Sequence, residues 1–253
     1  MIKMLRTYFY KLFRSASFRA AVIGVVLVSF TRLSSHISAG SVYRQFELLL
    51  CFDTLRKVIA IFGALPFAAN FADEWSCSAS NMYITRCGTV KYAVSNVVVT
   101  FVSAFITVLS GMLIFAAVLA CFMPLCPSNM DSLSGPFDFL LKTPIPFLAV
   151  AVRAAVFAAS CAMWSVMGLM LSAFFPNKYV ALCTPFAASY IVERITIQFP
   201  APLNLWTVSI SMLNWNNTVL LFLYSIGLFT ALAALCGLIF VLRVKRVVQN
   251  EGR

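Results

Sequence analysis

Charged residues inside apolar segments are the residues of this 253-residue sequence best placed to do chemistry. Four of them interrupt long apolar stretches: Arg32, Arg153, Glu193 and Arg194. An ionisable group in hydrocarbon costs several kcal/mol unless it reaches water, pairs with an opposite charge or faces a polar cavity. We therefore expect these residues either to extend toward the membrane surface or to contact an amphipathic or anionic substrate along a transport pathway.

No pattern in the sequence predicts catalysis by the chain itself. It has no GxxxxGK[ST] phosphate loop, no HExxH and no GxSxG, and its only histidine, His36, leaves no set of Ser, His and acid. The eight cysteines form no CxxC pair, so we expect no metal site and no bound cofactor. Whether Cys121 and Cys126 pair stays open. Uphill transport would need a nucleotide-hydrolysing partner or ion coupling.

A second charged group lies in the polar stretch between two apolar segments. Residues 71–96, FADEWSCSASNMYITRCGTVKYAVSN, place Asp73 and Glu74 at the end of one apolar segment, with Arg86 and Lys91 ahead of the next. The two acids have two interpretations. They either cap or solvate a helix end, or they bind basic residues of the N-terminal segment or of a partner protein.

The elements that must position these residues are membrane helices. With 62% hydrophobic and 11% charged residues, the chain has too little polar surface to cover a soluble domain. A span needs about 20 apolar residues. We predict an all-α polytopic membrane protein with six spans, at about 20–39, 55–72, 92–125, 147–175, 179–197 and 219–242. In the second span we expect Arg56 and Lys57 to extend outward and Pro66 to kink the helix.

The remaining segments complete this domain organisation. Residues 1–16 divide into an aromatic and a basic face and predict an amphipathic helix at the membrane interface. Residues 17–246 form the transmembrane domain, the outer connection before the sixth span is expected to form short interfacial or re-entrant helices, and residues 247–253 form a tail. Six spans place both termini on one side and leave only seven of the 19 Lys and Arg residues elsewhere, so that side is expected to be cytoplasmic. Nothing favours nucleic-acid binding.

The polar stretch resembles the first cytoplasmic loop of the permease subunits of bacterial type-two ATP-binding-cassette (ABC) exporters. The matching residues are Phe71, Asp73, Glu74, Trp75, Met82, Ile84, Thr85, Arg86, Lys91 and Tyr92. Two differences are Ser78, where the family usually has Gly, and Cys87-Gly88-Thr89 in place of a more basic turn. The order of segments is similar to that family over nearly the whole chain.

The resemblance implies a partner-dependent exporter. In that family the loop forms a coupling helix that docks into a separate ATPase subunit, and closure of two ATPases rocks two permease subunits. The chain would then be a permease of the bacterial cytoplasmic membrane, with a second permease, identical or homologous, and two ATPase subunits that bind ATP and Mg. Its cargo would be amphipathic: a peptide, lipid or drug. The coupling residues would be Asp73, Glu74, Trp75, Met82, Ile84, Thr85 and Arg86.

The alternative is an ATP-independent membrane protein, either a secondary transporter or an assembly factor. A secondary transporter is expected to have paired broken helices and buried acids near the membrane midplane. In this sequence the acids are predicted to lie at membrane surfaces and loops, and no internal repeat is evident. A membrane enzyme is a weaker third alternative, because no cluster of His, Asp and Glu gathers on one face.

Overall fold

A computed structural model of the chain describes residues 2–31, 40–77, 79–126, 137, 140–141, 146–213, 215 and 217–250. Its regular elements within these ranges are all helical. The helices are α1 (Ile2–Arg14), α2 (Ala16–Phe30), α3 (Val42–Cys51), α4 (Asp53–Ala64), α5 (Asn70–Ser76), α6 (Ala79–Cys87), α7 (Thr89–Ala120), α8 (Phe147–Ser172), α9 (Lys178–Thr196), a 3-10 turn (Ala201–Leu203), α10 (Leu205–Ser209) and α11 (Thr218–Asn250).

Three of the described helices are long and apolar enough to cross a membrane, namely α7, α8 and α11. They overlap the predicted spans 92–125, 147–175 and 219–242, but α11 continues to Asn250, so residues 247–250 of the predicted tail are helical. The helices α1 and α2 meet at a bend of 57° and pass the same test as a broken pair. The described part of the chain therefore contains three candidate membrane-spanning helices, or four if the bent pair is one span.

The helix at the centre of the bundle is α8, which packs against α4, α7, α9 and α11. Of its most apolar 18 residues 83% are buried, against 28% in α11. A Cβ at Gly168 of α8 would collide with the backbone carbonyl oxygen of Ala181 in α9, so glycine is what permits the close approach of these two helices. Because α11 leaves Leu223, Leu235 and Leu238 exposed, it lies at the periphery.

The helix predicted over 55–72, with a kink at Pro66, is interrupted in the structure. The helix α4 ends at Ala64, turns follow over 65–69, and α5 begins at Asn70. Proline has no N–H to donate to the preceding turn, which accounts for the interruption of the helix near Pro66. Twelve residues of helix rise about 18 Å, well short of the ~30 Å hydrocarbon core. The structure also adds α3, a helix that the sequence did not predict.

The bundle has two distinguishable ends. At the α5–α6 end, the side chains of α1, α5, α6, α7 and α11 share one buried cluster that includes Tyr8, Phe71, Ile84, Tyr92 and Phe240. At the α3–α10 end, α3 packs with the end of α7, the start of α8 and the residue after α10, in a cluster that includes Tyr43, Phe46, Leu119, Val150 and Ile210. Exposed basic side chains line the α5–α6 end: Lys11, Arg14, Arg86, Lys91, Lys178, Lys245 and Arg246.

Helix α1 uses part of its apolar face for contact with the protein. Met4, Tyr8 and Leu12 are buried in the cluster at the α5–α6 end, whereas Phe13 on the same predicted face is 53% exposed. Tyr8 packs edge-on against Phe67, with ring centroids 5.3 Å apart. A row of residues four apart is one stripe of a helix. This stripe is occupied by protein, and the expected membrane contact would fall to the flanking side chains.

Candidate functional site

The first candidate site is built around Glu74, a carboxylate buried at the α5–α6 end. Its Oε2 accepts hydrogen bonds from the hydroxyls of Tyr92 at 2.8 Å and Tyr8 at 3.2 Å, and its Oε1 accepts one from Asn70 Nδ2 at 2.7 Å. Lys11 Nζ lies 3.9 Å from Oε1 and donates to Asn70 Oδ1 at 2.7 Å. One acid thereby joins α1, α5 and α7, and the expected pairing of Glu74 with a basic residue of the N-terminal helix is present.

The donors around Glu74 are mostly neutral. Burial, and next the charge of Glu74, raise the pKa of Tyr8 above its ordinary value, so this hydroxyl keeps its proton and can donate. Hydrogen bonds to an ionised acceptor are about twice as strong as bonds between neutral groups. A buried carboxylate with three such donors therefore holds α5 in a fixed position relative to α1 and α7.

Helix α6 presents the other predicted coupling residues. Ile84 is buried in the cluster beneath it, while Met82 is 63% exposed and Thr85 and Arg86 point to the surface. Tyr83 stacks on Tyr92 of α7, with centroids 6.2 Å apart and planes at 12°. Gly88, with φ of 82°, makes the turn from α6 into α7 that a residue with a Cβ would adopt with strain.

The predicted coupling residues thus divide by direction. Glu74 and Ile84 point inward, and Trp75 is half-buried against Phe71, with ring centroids 5.4 Å apart. The outward-facing members are Asp73, Met82, Thr85 and Arg86. We call residues 70–87, which contain both helices, the α5–α6 segment. Its inner side chains fasten it to the bundle, and its outer side chains form a surface of apolar, polar and basic groups.

The second candidate site is a group of four charges at the α3–α10 end, here called the ion cluster. Arg56, Lys57 and Glu193 are buried, and Asp53 is partly exposed. Arg56 Nη2 lies 2.6 Å from Glu193 Oε2 and 3.0 Å from Asp53 Oδ1, and Lys57 Nζ lies 2.5 Å from Asp53 Oδ2 and 3.5 Å from Glu193 Oε2. Arg56 and Lys57 are each only 3% exposed. The prediction that they extend outward is therefore wrong.

Neutral groups complete the ion cluster. Arg56 Nη1 donates to Ser209 Oγ of α10 at 2.6 Å, and Lys57 Nζ lies 3.4 Å from the ring centre of Tyr190 in α9. The two bases balance the two acids, which meets the condition that buried charges be paired and hydrogen-bonded. The ion cluster consequently ties α4, α9 and α10 together.

The predicted pathway residues do not form one site. Arg153 is buried, lies 3.1 Å from Glu47 Oε1 of α3, and stacks over Tyr43. Glu193 belongs to the ion cluster, and Arg194 is exposed beside it. Arg32 lies outside the described residues. Glu193 and Arg194 line a common cavity, of about 230 Å³, together with Asp53, Lys57, Ile197 and Trp206.

Sequence reasoning missed three members of the ion cluster as site residues. Asp53 precedes Arg56 and Lys57 by three and four residues, a spacing that pairs opposite charges on one helix face, so this part was visible in the sequence. Glu193 lies more than 130 residues further along the chain. No local pattern indicates that such distant residues meet.

The cysteines form neither a disulfide nor part of a metal-binding group within the residues that the structure describes. All eight cysteines are free, including Cys121 and Cys126. Across the described ranges, no three residues among His, Cys, Asp and Glu are grouped as metal ligands would be.

No protein-family model, curated protein or solved structure matches the chain. The geometry of the α5–α6 segment and of the ion cluster is therefore the basis for a functional proposal.

Proposed function

We propose that the chain is the membrane permease subunit of an ABC exporter and that the α5–α6 segment docks a separate ATPase subunit. The observation that carries the proposal is the two-sided construction of this segment. Glu74 fastens it to α1 and α7 through Tyr8 and Tyr92, while Met82 and Arg86 face outward. A segment fixed to a long membrane helix moves with that helix when a partner displaces it.

The outward surface has the composition of a protein interface. Met and Arg are enriched at such interfaces, and Met adapts its shape to a partner's groove. Met82 is 63% exposed, although it follows the buried Ser80 by only two residues. In the proposed assembly two ATPase subunits bind ATP and Mg, and a second permease subunit, identical or homologous, completes the translocation pathway for an amphipathic substrate such as a peptide, lipid or drug.

The proposed membrane arrangement has six passages, with α2, α4 and α9 beside α7, α8 and α11. Since α4 is short, the turns at 65–69 and local thinning of the bilayer would complete its passage. The basic side chains gathered at the α5–α6 end support a cytoplasmic position for that end, in a bacterial cytoplasmic membrane with both termini inside. Helix α1 would lie in the interface, with Arg6, Lys11 and Arg14 exposed to head groups.

The test is co-purification of the tagged chain from its native membrane, followed by identification of bound proteins and an ATPase assay. Met82→Ala combined with Arg86→Gln removes the outward surface and leaves Glu74 in place, because a change at Glu74 would disturb the fold. The matched control is Phe122→Ala with Arg44→Gln, an exposed apolar and an exposed basic residue at the α3–α10 end.

We expect a phosphate-loop ATPase to co-purify with the wild-type chain and with the control. The amount that co-purifies with the Met82/Arg86 variant should be at least about tenfold lower. Truncating a hot-spot residue of an interface costs about 2 kcal/mol or more, and a tenfold loss of affinity corresponds to about 1.4 kcal/mol. Equal ATPase recovery with both double variants would overturn the docking assignment.

The ion cluster favours a second candidate, an ATP-independent transporter. Glu193 is a buried acid between two basic side chains, and buried ionisable residues of this kind mark ion pathways in membrane proteins. A chain that purifies alone, without ATPase activity, and moves protons across liposomes would establish this second candidate in place of the first.

A further inference from the structure

The cavity beside the ion cluster has walls of unusual composition for an apolar bundle. Two acids, Asp53 and Glu193, and two bases, Lys57 and Arg194, line it together with Ile197 and Trp206. Arg56 and Lys57 already balance the charges of Asp53 and Glu193, so Arg194 is the base whose charge no acid of the ion cluster balances. Such a cavity suits a ligand that carries an anionic group for Arg194 and, on the side of the acids, a cationic group.

The hydrogen-bonding capacity of the cavity is only partly used. A carboxylate can accept about four hydrogen bonds. Both basic contacts of Glu193 fall on Oε2, and within the described residues Oε1 accepts no hydrogen bond. Arg194 is exposed and pairs with no acid in the part of the chain that the structure describes. Oε1 of Glu193 can therefore accept a hydrogen bond from a cation, and the guanidinium of the adjacent Arg194 can donate hydrogen bonds to an anion.

Size and position narrow the ligand further. A volume of about 230 Å³ is below the ~300–1,000 Å³ of sites for drug-sized molecules, so the cavity holds a small polar group rather than a whole amphiphile. In the proposed membrane arrangement the α3–α10 end lies at the outer surface, where head groups are found. The indole of Trp206 is typical of that depth.

We propose that this cavity binds a zwitterionic group, an ammonium next to a phosphate, such as the phosphoethanolamine head of a phospholipid. The phosphate is bound by the guanidinium of Arg194, the ammonium by Oε1 of Glu193, and the adjoining apolar part contacts Ile197 and Trp206. The inference rests on the proposed function for its membrane depth, and it specifies the amphipathic substrate as a zwitterionic one. A planar guanidinium matches the two oxygens of a phosphate.

The test is a titration of the purified full chain, followed by native mass spectrometry. The probes are phosphatidylethanolamine and phosphatidylglycerol with identical acyl chains, and the water-soluble glycerophosphoethanolamine. Arg194→Gln removes the phosphate donor at an exposed position, so it leaves the fold intact. The matched control is Arg19→Gln, an exposed arginine on α2.

The wild-type chain is expected to bind phosphatidylethanolamine about tenfold or more tightly than phosphatidylglycerol, and Arg194→Gln to weaken that binding about tenfold, since one charge-assisted contact is lost. Arg19→Gln should bind as the wild type does. If glycerophosphoethanolamine binds as tightly as the lipid and also depends on Arg194, the zwitterion site stands and its ligand is a soluble one. Equal affinities for the two lipids, or equal affinities of the two variants, would overturn the proposal.

This outcome is separable from the test of the proposed function. Arg194 lies at the end of the bundle opposite α6, so Arg194→Gln should still co-purify with the ATPase. A wild-type chain that co-purifies with the ATPase but binds the two lipids equally contradicts only the zwitterion site. Arg194-dependent binding in a chain that purifies alone contradicts only the exporter assignment.

Discussion

Two buried glutamates, one at each end of the bundle, are stabilised in different ways. Glu74 is 7% exposed and accepts from two tyrosine hydroxyls and an asparagine amide, with Lys11 only at 3.9 Å. Glu193 is 6% exposed and has Arg56 at 2.6 Å and Lys57 at 3.5 Å. The two carboxylates are almost equally buried. The cost of burying Glu74 is offset mainly by hydrogen bonds from neutral groups, and the cost of burying Glu193 is offset by two positive charges.

The difference indicates that Glu74 has a structural role, whereas the ion cluster can contribute to a binding site. Neutral donors hold Glu74 without placing a strong field at the surface, so the α5–α6 segment is fixed while its outer face stays open to a partner. The ion cluster concentrates four charges beside a cavity, where a ligand of mixed charge competes with or adds to the existing pairs. Removing one partner should therefore cost more at Glu193 than at Glu74.

The largest expected effect comes from Arg56→Met. This variant leaves Glu193 and Asp53 with one cation between them, and breaking a buried pair typically costs about 3–5 kcal/mol. Chemical unfolding of the purified chain in detergent measures the loss. The double variant Arg56→Met with Glu193→Gln should regain part of it, because Lys57 and Asp53 then balance. If the single and double variants are equally unstable, the buried charge of Glu193 is not the cause.

A smaller effect is expected at Glu74. Glu74→Ala leaves the buried hydroxyls of Tyr8 and Tyr92 without their acceptor, at a cost of about 2–3 kcal/mol. Glu74→Gln keeps one carbonyl acceptor and should cost about 1 kcal/mol. The same unfolding measurement compares them. A loss for Glu74→Gln as large as that for Arg56→Met would mean that charge, rather than hydrogen bonding, stabilises this end as well.

A substitution at Gly168 tests helix packing without changing a charge or a side-chain hydrogen bond. Gly168→Ala brings a Cβ against the carbonyl oxygen of Ala181, and the resulting separation of α8 and α9 should cost about 1–2 kcal/mol. Gly227→Ala in α11 is the matched control, because a Cβ there meets nothing within 4 Å and alanine favours a helix. The control should be neutral or slightly stabilising. Equal destabilisation of both variants would contradict the close contact of α8 with α9.

The smallest effect on stability belongs to the outer face of α6. Met82→Ala with Arg86→Gln changes exposed side chains, which usually alters the free energy of unfolding by no more than about 0.5 kcal/mol. Thermal unfolding of the variant should match the wild type. A large decrease in stability would show that these side chains contribute to the fold, and any loss of ATPase binding in this variant would then have a structural cause.

The long apolar helices could be predicted from the sequence because their signal is local. Each of α7, α8 and α11 is an apolar run longer than a bilayer needs, and the predicted starts lie within three residues of Thr89, Phe147 and Thr218. The helix α3 escaped prediction because it mixes Arg44, Gln45 and Glu47 with apolar residues that tertiary contacts bury. The break after Ala64 was predicted as a kink, since a proline alone does not determine whether a helix bends or ends.

The candidate sites could be predicted only in part, because only some of their residues are close together in the sequence. The α5–α6 segment was visible because its acids, aromatics and basic residues are adjacent in sequence. The ion cluster was not, since Arg56 and Lys57 meet Glu193 only through the packing of α4 against α9. Two positive charges at the start of an apolar run read locally as side chains that reach the surface. Their burial is specified by residues far along the chain.

The proposed contact between α6 and an ATPase subunit can be tested by site-specific photo-cross-linking in native membranes. A photoreactive amino acid replaces Met82 in one chain and Phe122, 81% exposed at the other end, in a second. We expect position 82 to form an adduct with a phosphate-loop ATPase and position 122 to form no adduct with it. Adducts with lipid alone at both positions, or the same ATPase captured from both, would contradict it.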